Sequence, residues 1–170
     1  MRRILTTLLC ATAFVAAAAD RRAPGFSLVD SKAQEHDLAD YRGKLVLLAF
    51  IQTTCPHCAT FAEILQQAQE KFGDKIAVLA VVTPPDDPGK VNAFMAGHKI
   101  TYPILFDSGQ MSYSYVLSQN LAFPQLFMID AGGIVRAEHL YGPLTRDIFE
   151  GSGLGPAITR MLNGGTPPKK

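Results

Sequence analysis

Cys55-Pro56-His57-Cys58 is the stretch of this chain whose residue types and spacing are best suited to chemistry. Two cysteines two residues apart at a helix start have side chains within one turn of each other, so they can close a disulfide. The first would lie where free backbone N–H groups and the positive end of the helix dipole favour thiolate over thiol. His57 would add a donor or a positive charge beside that sulfur. Cys58, one turn inside, would be the resolving thiol that releases a mixed disulfide.

Duller roles fit less well. A structural disulfide this short cross-links almost no chain, so its loop-closure contribution is small. A zinc site needs about four ligands, whereas there is no second cysteine pair and His36, His98 and His139 are scattered. Haem attachment requires histidine directly after the second cysteine, and residue 59 is alanine. The reading is therefore dithiol redox chemistry with no metal and no cofactor.

The elements needed to hold such a pair are present on either side. Leu45 to Ile51 is a continuous apolar run, as expected of a strand covered on both faces. Phe61, Ile64, Leu65, Ala68 and Phe72 then recur at helical spacing, with Gly73 as the stop. The cysteine pair thus falls at a strand-to-helix junction. Ile76 to Val82 is a second buried run, followed by a Pro-rich loop in which Asp87 caps a helix with Pro88 at its first position. Tyr102 to Phe106 reads as a third strand, and Asp107-Ser108-Gly109 opens a helix through Ser118. Gln125 to Ile129 and Ile134 to Glu138 flank a glycine-bearing loop as a hairpin, and Leu154 to Leu162 closes the domain as a helix. This order gives an α/β sandwich with a mixed sheet. Asp86 and Asp87 read as turn and cap residues. Core or surface packing accounts for Tyr113, Tyr115, Met95, Met111, Met128 and His139.

Composition agrees with an ordinary globular chain. Of 170 residues, 48% are hydrophobic and 18% charged, which excludes a disordered or collagen-like protein. Sixteen Lys and Arg against fifteen Asp and Glu, with no basic cluster, exclude the electrostatic footprint of a nucleic-acid binder. Residues 1–19 read as a secretory signal peptide: a basic start at Arg2 and Arg3, an apolar run from Ile4 to Val15, and small residues from Ala16 to Ala19. The uncharged stretch is slightly short for a membrane anchor, and Leu9 before Cys10 does not fit a lipid-attachment motif. Cleavage would leave Cys55 and Cys58 as the only cysteines, in a chain sent to an oxidising compartment, the bacterial periplasm. The expected organisation is a signal peptide at 1–19, a redox domain at 20–163 and a flexible tail at 164–170.

A second signal is Phe123-Pro124, directly before the strand at Gln125. Proline is tolerated at a strand start, and few X-Pro bonds are cis. Taken with Ala23-Pro24-Gly25-Phe26-Ser27-Leu28, Leu38-Ala39-Asp40-Tyr41-Arg42-Gly43-Lys44, the cysteine motif and Phe123-Pro124-Gln125-Leu126-Phe127-Met128-Ile129-Asp130, it resembles the thioredoxin-like redoxin superfamily. Within that superfamily the chain is most similar to secreted TlpA/ResA-type, AhpC/TSA-related thiol-disulfide oxidoreductases. The resemblance implies a thioredoxin-like three-layer sandwich, a mixed central sheet with helices on both faces. It also implies Cys55, Pro56, His57 and Cys58 as the catalytic motif, and a cis Pro124 that, with the Phe123 backbone, binds a substrate strand. Protein thiols and disulfides would be the substrates and a membrane redox protein the electron source, with the domain acting as a monomer.

The sequence departs from the family in three places. Thr54 stands where thioredoxins carry tryptophan, and the chain has none. Ala49 occupies the position of thioredoxin's buried acid, which leaves no obvious proton acceptor for Cys58. The Pro-His dipeptide matches strongly oxidising DsbA-type proteins, but the segment between Val82 and Pro124 leaves little space for their inserted helical domain. Two other functions compete. A peroxiredoxin needs P-x-x-x-T/S-x-x-C. Counting back from Cys58 gives Ile51 and Cys55, and from Cys55 gives Leu48 and Gln52, so neither register fits. Copper handling by two thiolates and a histidine suits soft Cu(I).

Overall fold

The computed structural model describes residues 21–116 and 122–165. The expected signal peptide with Cys10, the helix end at Ser118 and residues 166–170 of the tail lie outside the described residues. In chain order the elements are β1 (Arg21–Arg22), β2 (Ser27–Val29), β3 (Glu35–Asp37), β4 (Leu45–Phe50), α1 (Pro56–Phe72), β5 (Ile76–Val82), α2 (Pro88–Gly97), β6 (Ile104–Phe106), α3 (Gln110–Val116), β7 (Gln125–Ile129), β8 (Ile134–Leu140), α4 (Arg146–Glu150) and α5 (Leu154–Leu162). Short 3-10 turns lie at Leu38–Tyr41 and Gly73–Lys75.

Six strands form one mixed sheet in the order β1-β8-β7-β4-β5-β6, while β2 and β3 pair as a separate hairpin. At its centre β4 runs parallel to β5 and antiparallel to β7. The unbroken apolar run of β4 follows from packing on both sides. Leu45, Leu47, Ala49 and Ile51 enter a core with Phe61, Leu65, Phe149 and Ile158 from α1, α4 and α5. Val46, Leu48 and Phe50 pack with Met111 and Tyr115 of α3 and with Phe127. A strand buried on both faces has no solvent side to mark with polar residues. The result is the mixed sheet with helices on both faces that the sequence implied.

Several boundaries differ from expectation for local reasons. β6 starts at Ile104 because Pro103 has no N–H, although its carbonyl still accepts from Ala80 N at 3.1 Å. Tyr102 turns inward and donates its hydroxyl to the Ala62 carbonyl at 3.2 Å. Asp107 lies before α3, and its carboxylate accepts from the N–H groups of Met111 and Ser112. The second hairpin strand continues past Glu138 to Leu140. The β2–β3 hairpin, β1 and α4 were not anticipated.

Candidate active site

β4 delivers the chain to the cysteine pair through a tight turn in which Cys55 N donates to Gln52 O at 3.2 Å. Cys55 is the N-cap of α1 and Pro56 begins the helix, where a missing N–H leaves no intrahelical bond unmade. The Cys55 sulfur accepts from Cys58 N at 3.4 Å, in the manner of a side-chain cap. Both cysteines are free thiols; Cys55 is half-buried and Cys58 fully buried. Burial pushes the Cys58 thiol well above the usual cysteine range, and its hydrogen bond with Cys55 and the charges of Cys55 and Asp86 push the same way. A backbone hydrogen bond at Gln52 offsets part of this. The two sulfurs are therefore unlike: one is open to a partner and capped by backbone, the other is enclosed and held as a thiol.

Phe123 and Pro124 face this pair. Their peptide bond is cis, and the Phe123 carbonyl oxygen lies 4.0 Å from Cys55 Sγ. Pro124 is buried at the head of β7, whereas Phe123 is half-buried and touches both cores. The Pro124 carbonyl accepts from Tyr141 N at 3.2 Å. Pro56 and Thr54 are exposed beside the sulfurs. His57 is exposed as well, but its Nδ1 bonds Glu150 Oε1 at 2.5 Å and its ring stacks on Tyr141. The polar partners of His57 are thus a carboxylate on α4 and the Tyr141 hydroxyl.

Sequence reasoning missed the side chains that fasten the site from a distance. Ala49 is fully buried in the core, as its position predicts, so no acid reaches the sulfurs from β4. Asp86 arrives instead from the loop between β5 and α2. Its carboxylate accepts from Thr53 N at 2.9 Å and from the Thr53 hydroxyl, and its charge acts on Cys58. Locally Asp86 does sit in a turn, its N–H donating to Thr83 O at 3.1 Å, and Asp87 caps α2 through Lys90 N at 3.0 Å. A turn reading was right for the backbone and silent about a side chain that bonds 33 residues away. Tyr141, Arg146 and Glu150 were missed in the same way. A tyrosine after a strand and a short charged helix carry no signature of contact with a motif more than 80 residues upstream.

The other residues singled out in the sequence lie away from the cysteine pair, and His36 and His98 bond to Asp30 and Glu63. Met111, Met128, Tyr115 and His139 are buried, Met95 packs at the core edge, and Tyr113 is exposed. Among the described residues no group of three or more His, Cys, Asp or Glu side chains could hold a metal ion.

Comparison with known proteins agrees with this geometry. The sequence matches the AhpC/TSA family over residues 19–138. It is 30% identical over 132 residues to the thioredoxin-like protein YneN of Bacillus subtilis (strain 168), covering 76% of this chain and 75% of that protein. It is 29% identical over 136 residues to the thiol-disulfide oxidoreductase ResA of Geobacillus kaustophilus (strain HTA426), covering 79% and 76%. In three dimensions it is similar to a thiol:disulfide interchange protein of the thioredoxin family from Chlorobium tepidum TLS. The TM-score is 0.73 at 21% identity, over 86% of this chain and 99% of the other.

Proposed function

The chain belongs to the AhpC/TSA family of thioredoxin-like redoxins, and from that premise we propose that it exchanges disulfides with protein substrates outside the cytoplasm, with Cys55 as nucleophile and Cys58 as resolving thiol. The observation that carries this reading is the asymmetry of the pair. A half-buried sulfur at a helix N-terminus stands 3.4 Å from the N–H of a fully buried thiol that burial keeps protonated.

The steps follow from that asymmetry. The Cys55 thiolate attacks one sulfur of a substrate disulfide; the substrate S–S bond breaks and its second sulfur leaves as a thiolate that takes up a proton. Cys58 then gives up its proton and attacks Cys55 Sγ, so the mixed disulfide breaks, the second substrate thiol leaves and Cys55–Cys58 closes. Two electrons pass from the dithiol to the substrate, and the reverse sequence oxidises it. A substrate segment lies against Phe123 and Pro124 beside Cys55, held while sulfur meets sulfur. The basic start and apolar run of residues 1–19 support export to the periplasm. The TlpA/ResA-type resemblance supports reduction of substrates, with electrons from a membrane partner.

Equilibrating the protein with mixtures of reduced and oxidised glutathione tests both the pair and its direction. A reversible Cys55–Cys58 couple near thioredoxin's, about −270 mV, is the expected result, while one near −120 mV would reverse the direction. Failure of the pair to close at any glutathione ratio would overturn the reading.

A further inference from the structure

His57 is the motif residue with the most elaborate surroundings, and they belong to elements remote in sequence. Its Nδ1 lies 2.5 Å from Glu150 Oε1 and 3.0 Å from the Tyr141 hydroxyl, which itself donates to the same carboxylate oxygen at 2.7 Å. Arg146 Nε donates to the other oxygen of Glu150 at 2.8 Å. The imidazole stacks on the Tyr141 ring with centroids 4.5 Å apart and an interplanar angle of 26°. Phe149, next to Glu150, is fully buried edge-on against Phe61 of α1 at 4.7 Å. That contact ties the end of α4 to the helix that carries His57. Tyr141 also bonds the Pro124 carbonyl through its backbone, so one residue braces both halves of the site.

We propose that Glu150 is a positioning residue for disulfide exchange: it fixes the His57 ring as an Nδ1–H donor and couples the charge of that ring to the redox balance of Cys55 and Cys58. The proposal rests on the thiol-exchange reading above. The hydrogen bond from Tyr141 first, then those from His57 and Arg146, hold the Glu150 carboxyl below the usual range, so it is an ionised group that can only accept. The hydrogen between Nδ1 and Oε1 therefore belongs to the ring, and Nε2 is the nitrogen at which the ring charge changes. A carboxylate accepting from an imidazole favours its charged form. The charge matters two residues away, because a thiolate at Cys55 exists only in the reduced pair, and a cation in the same motif stabilises that form. Among the described residues the titratable and charged groups that face the ring are Glu150 and Tyr141, with Arg146 behind the carboxylate, while Cys55 and Cys58 share its motif at the start of α1.

The test is the glutathione equilibrium of wild type, Glu150→Gln, His57→Gln and the double variant, each at pH 5.5 and pH 7.5. Without the carboxylate the ring loses the acceptor that keeps its proton on Nδ1 and the negative charge that favours its cation. Glu150→Gln should then favour the disulfide by about three- to tenfold at pH 7.5, about 15 to 30 mV, and by less than about twofold at pH 5.5. In the His57→Gln background the same substitution should produce no pH-dependent shift. An unchanged potential in Glu150→Gln, or an equal shift with and without His57, would overturn the proposal; the second result, with a lowered Tm, is what a merely structural role gives. Nitrogen-15 spectra of wild type at high pH provide a readout that needs no variant: a proton on Nδ1 of His57 is expected, and one on Nε2 would contradict the assignment. If wild type itself forms no Cys55–Cys58 disulfide, the exchange reading has failed, an outcome distinct from a normal wild-type couple that Glu150 does not influence.

Discussion

Alkaline pH should destabilise the reduced protein through Cys58, by an amount the burial of that thiol sets. Cys58 is fully buried, and burial first, then its hydrogen bond with Cys55, raises its folded-state pKa far above the ordinary thiol value. In the unfolded chain the same thiol ionises near about 8.5. Below that value both states hold the proton and the full stability is present. Above it the unfolded state loses the proton while the folded state keeps it, so stability falls as pH rises toward the folded value. The slope is about 1.4 kcal/mol per pH unit, or about 2.5 kcal/mol between pH 9 and pH 11. Burial also raises Tyr102 and Tyr115, which therefore add alkaline sensitivity of the same sign. Comparison with Cys58→Ala removes their part, because both proteins keep the two tyrosines, and any cost of the lost sulfur is the same at every pH. Urea denaturation under reducing conditions at half-unit steps from pH 7.5 to pH 11 gives the difference directly. The wild-type curve should fall toward that of Cys58→Ala or cross it, while the oxidised wild type, which has no thiol to ionise, should not show the extra slope. Parallel curves for reduced wild type and Cys58→Ala, within about 0.5 kcal/mol over this range, would refute the claim that the folded protein holds Cys58 as a buried thiol.

Two further substitutions probe the frame of the site. Asp86→Asn exchanges hydrogen bonds to a charged carboxylate for neutral ones at Thr53, and urea midpoints should show a loss of about 1 kcal/mol. Because the Asp86 charge also disfavours ionised Cys58, alkylation of that thiol in the Cys55→Ser background should become faster in Asp86→Asn; an unchanged rate would remove Asp86 from the account. Phe149→Ala empties a fully buried ring site between Phe61 and Tyr141 and should cost about 3 to 5 kcal/mol by thermal or urea denaturation. A cost below about 1 kcal/mol would mean that α4 is not anchored as described.

Legibility in the sequence followed the range over which each feature is determined. β5 and α5 were readable to the residue because a seven-residue apolar run and a strongly amphipathic stretch each carry their own period. The start of α2 was readable because Asp87 and Pro88 are local signals for a local event. β1 consists of Arg21 and Arg22, whose pairing with Val135 and Ile134 no propensity announces. The β2–β3 hairpin is short and mostly polar; Asp30 holds its turn by accepting from Lys32 N and Gln34 N, and the buried His36 contacts both Asp30 and Tyr41. α4 is five residues long with one buried side chain, too short for periodicity to register. In the site, the cysteine spacing and the helix start that caps it are sequence-local and were legible. Asp86 against Thr53, and Tyr141 and Glu150 against His57, are contacts made by the fold, and a single sequence holds no trace of them.

Disulfide trapping tests the central claim, that Cys55 attacks and Cys58 resolves, most directly. Cys58→Ser and Cys55→Ser proteins, each mixed with a peptide bearing a disulfide, would be quenched with acid and mapped by mass spectrometry. Cys58→Ser should accumulate a mixed disulfide on Cys55, because the half-buried sulfur at the helix N-terminus can still attack and nothing remains to release it. Accumulation on Cys58 in Cys55→Ser, with none on Cys55 in Cys58→Ser, would reverse the roles and contradict the account.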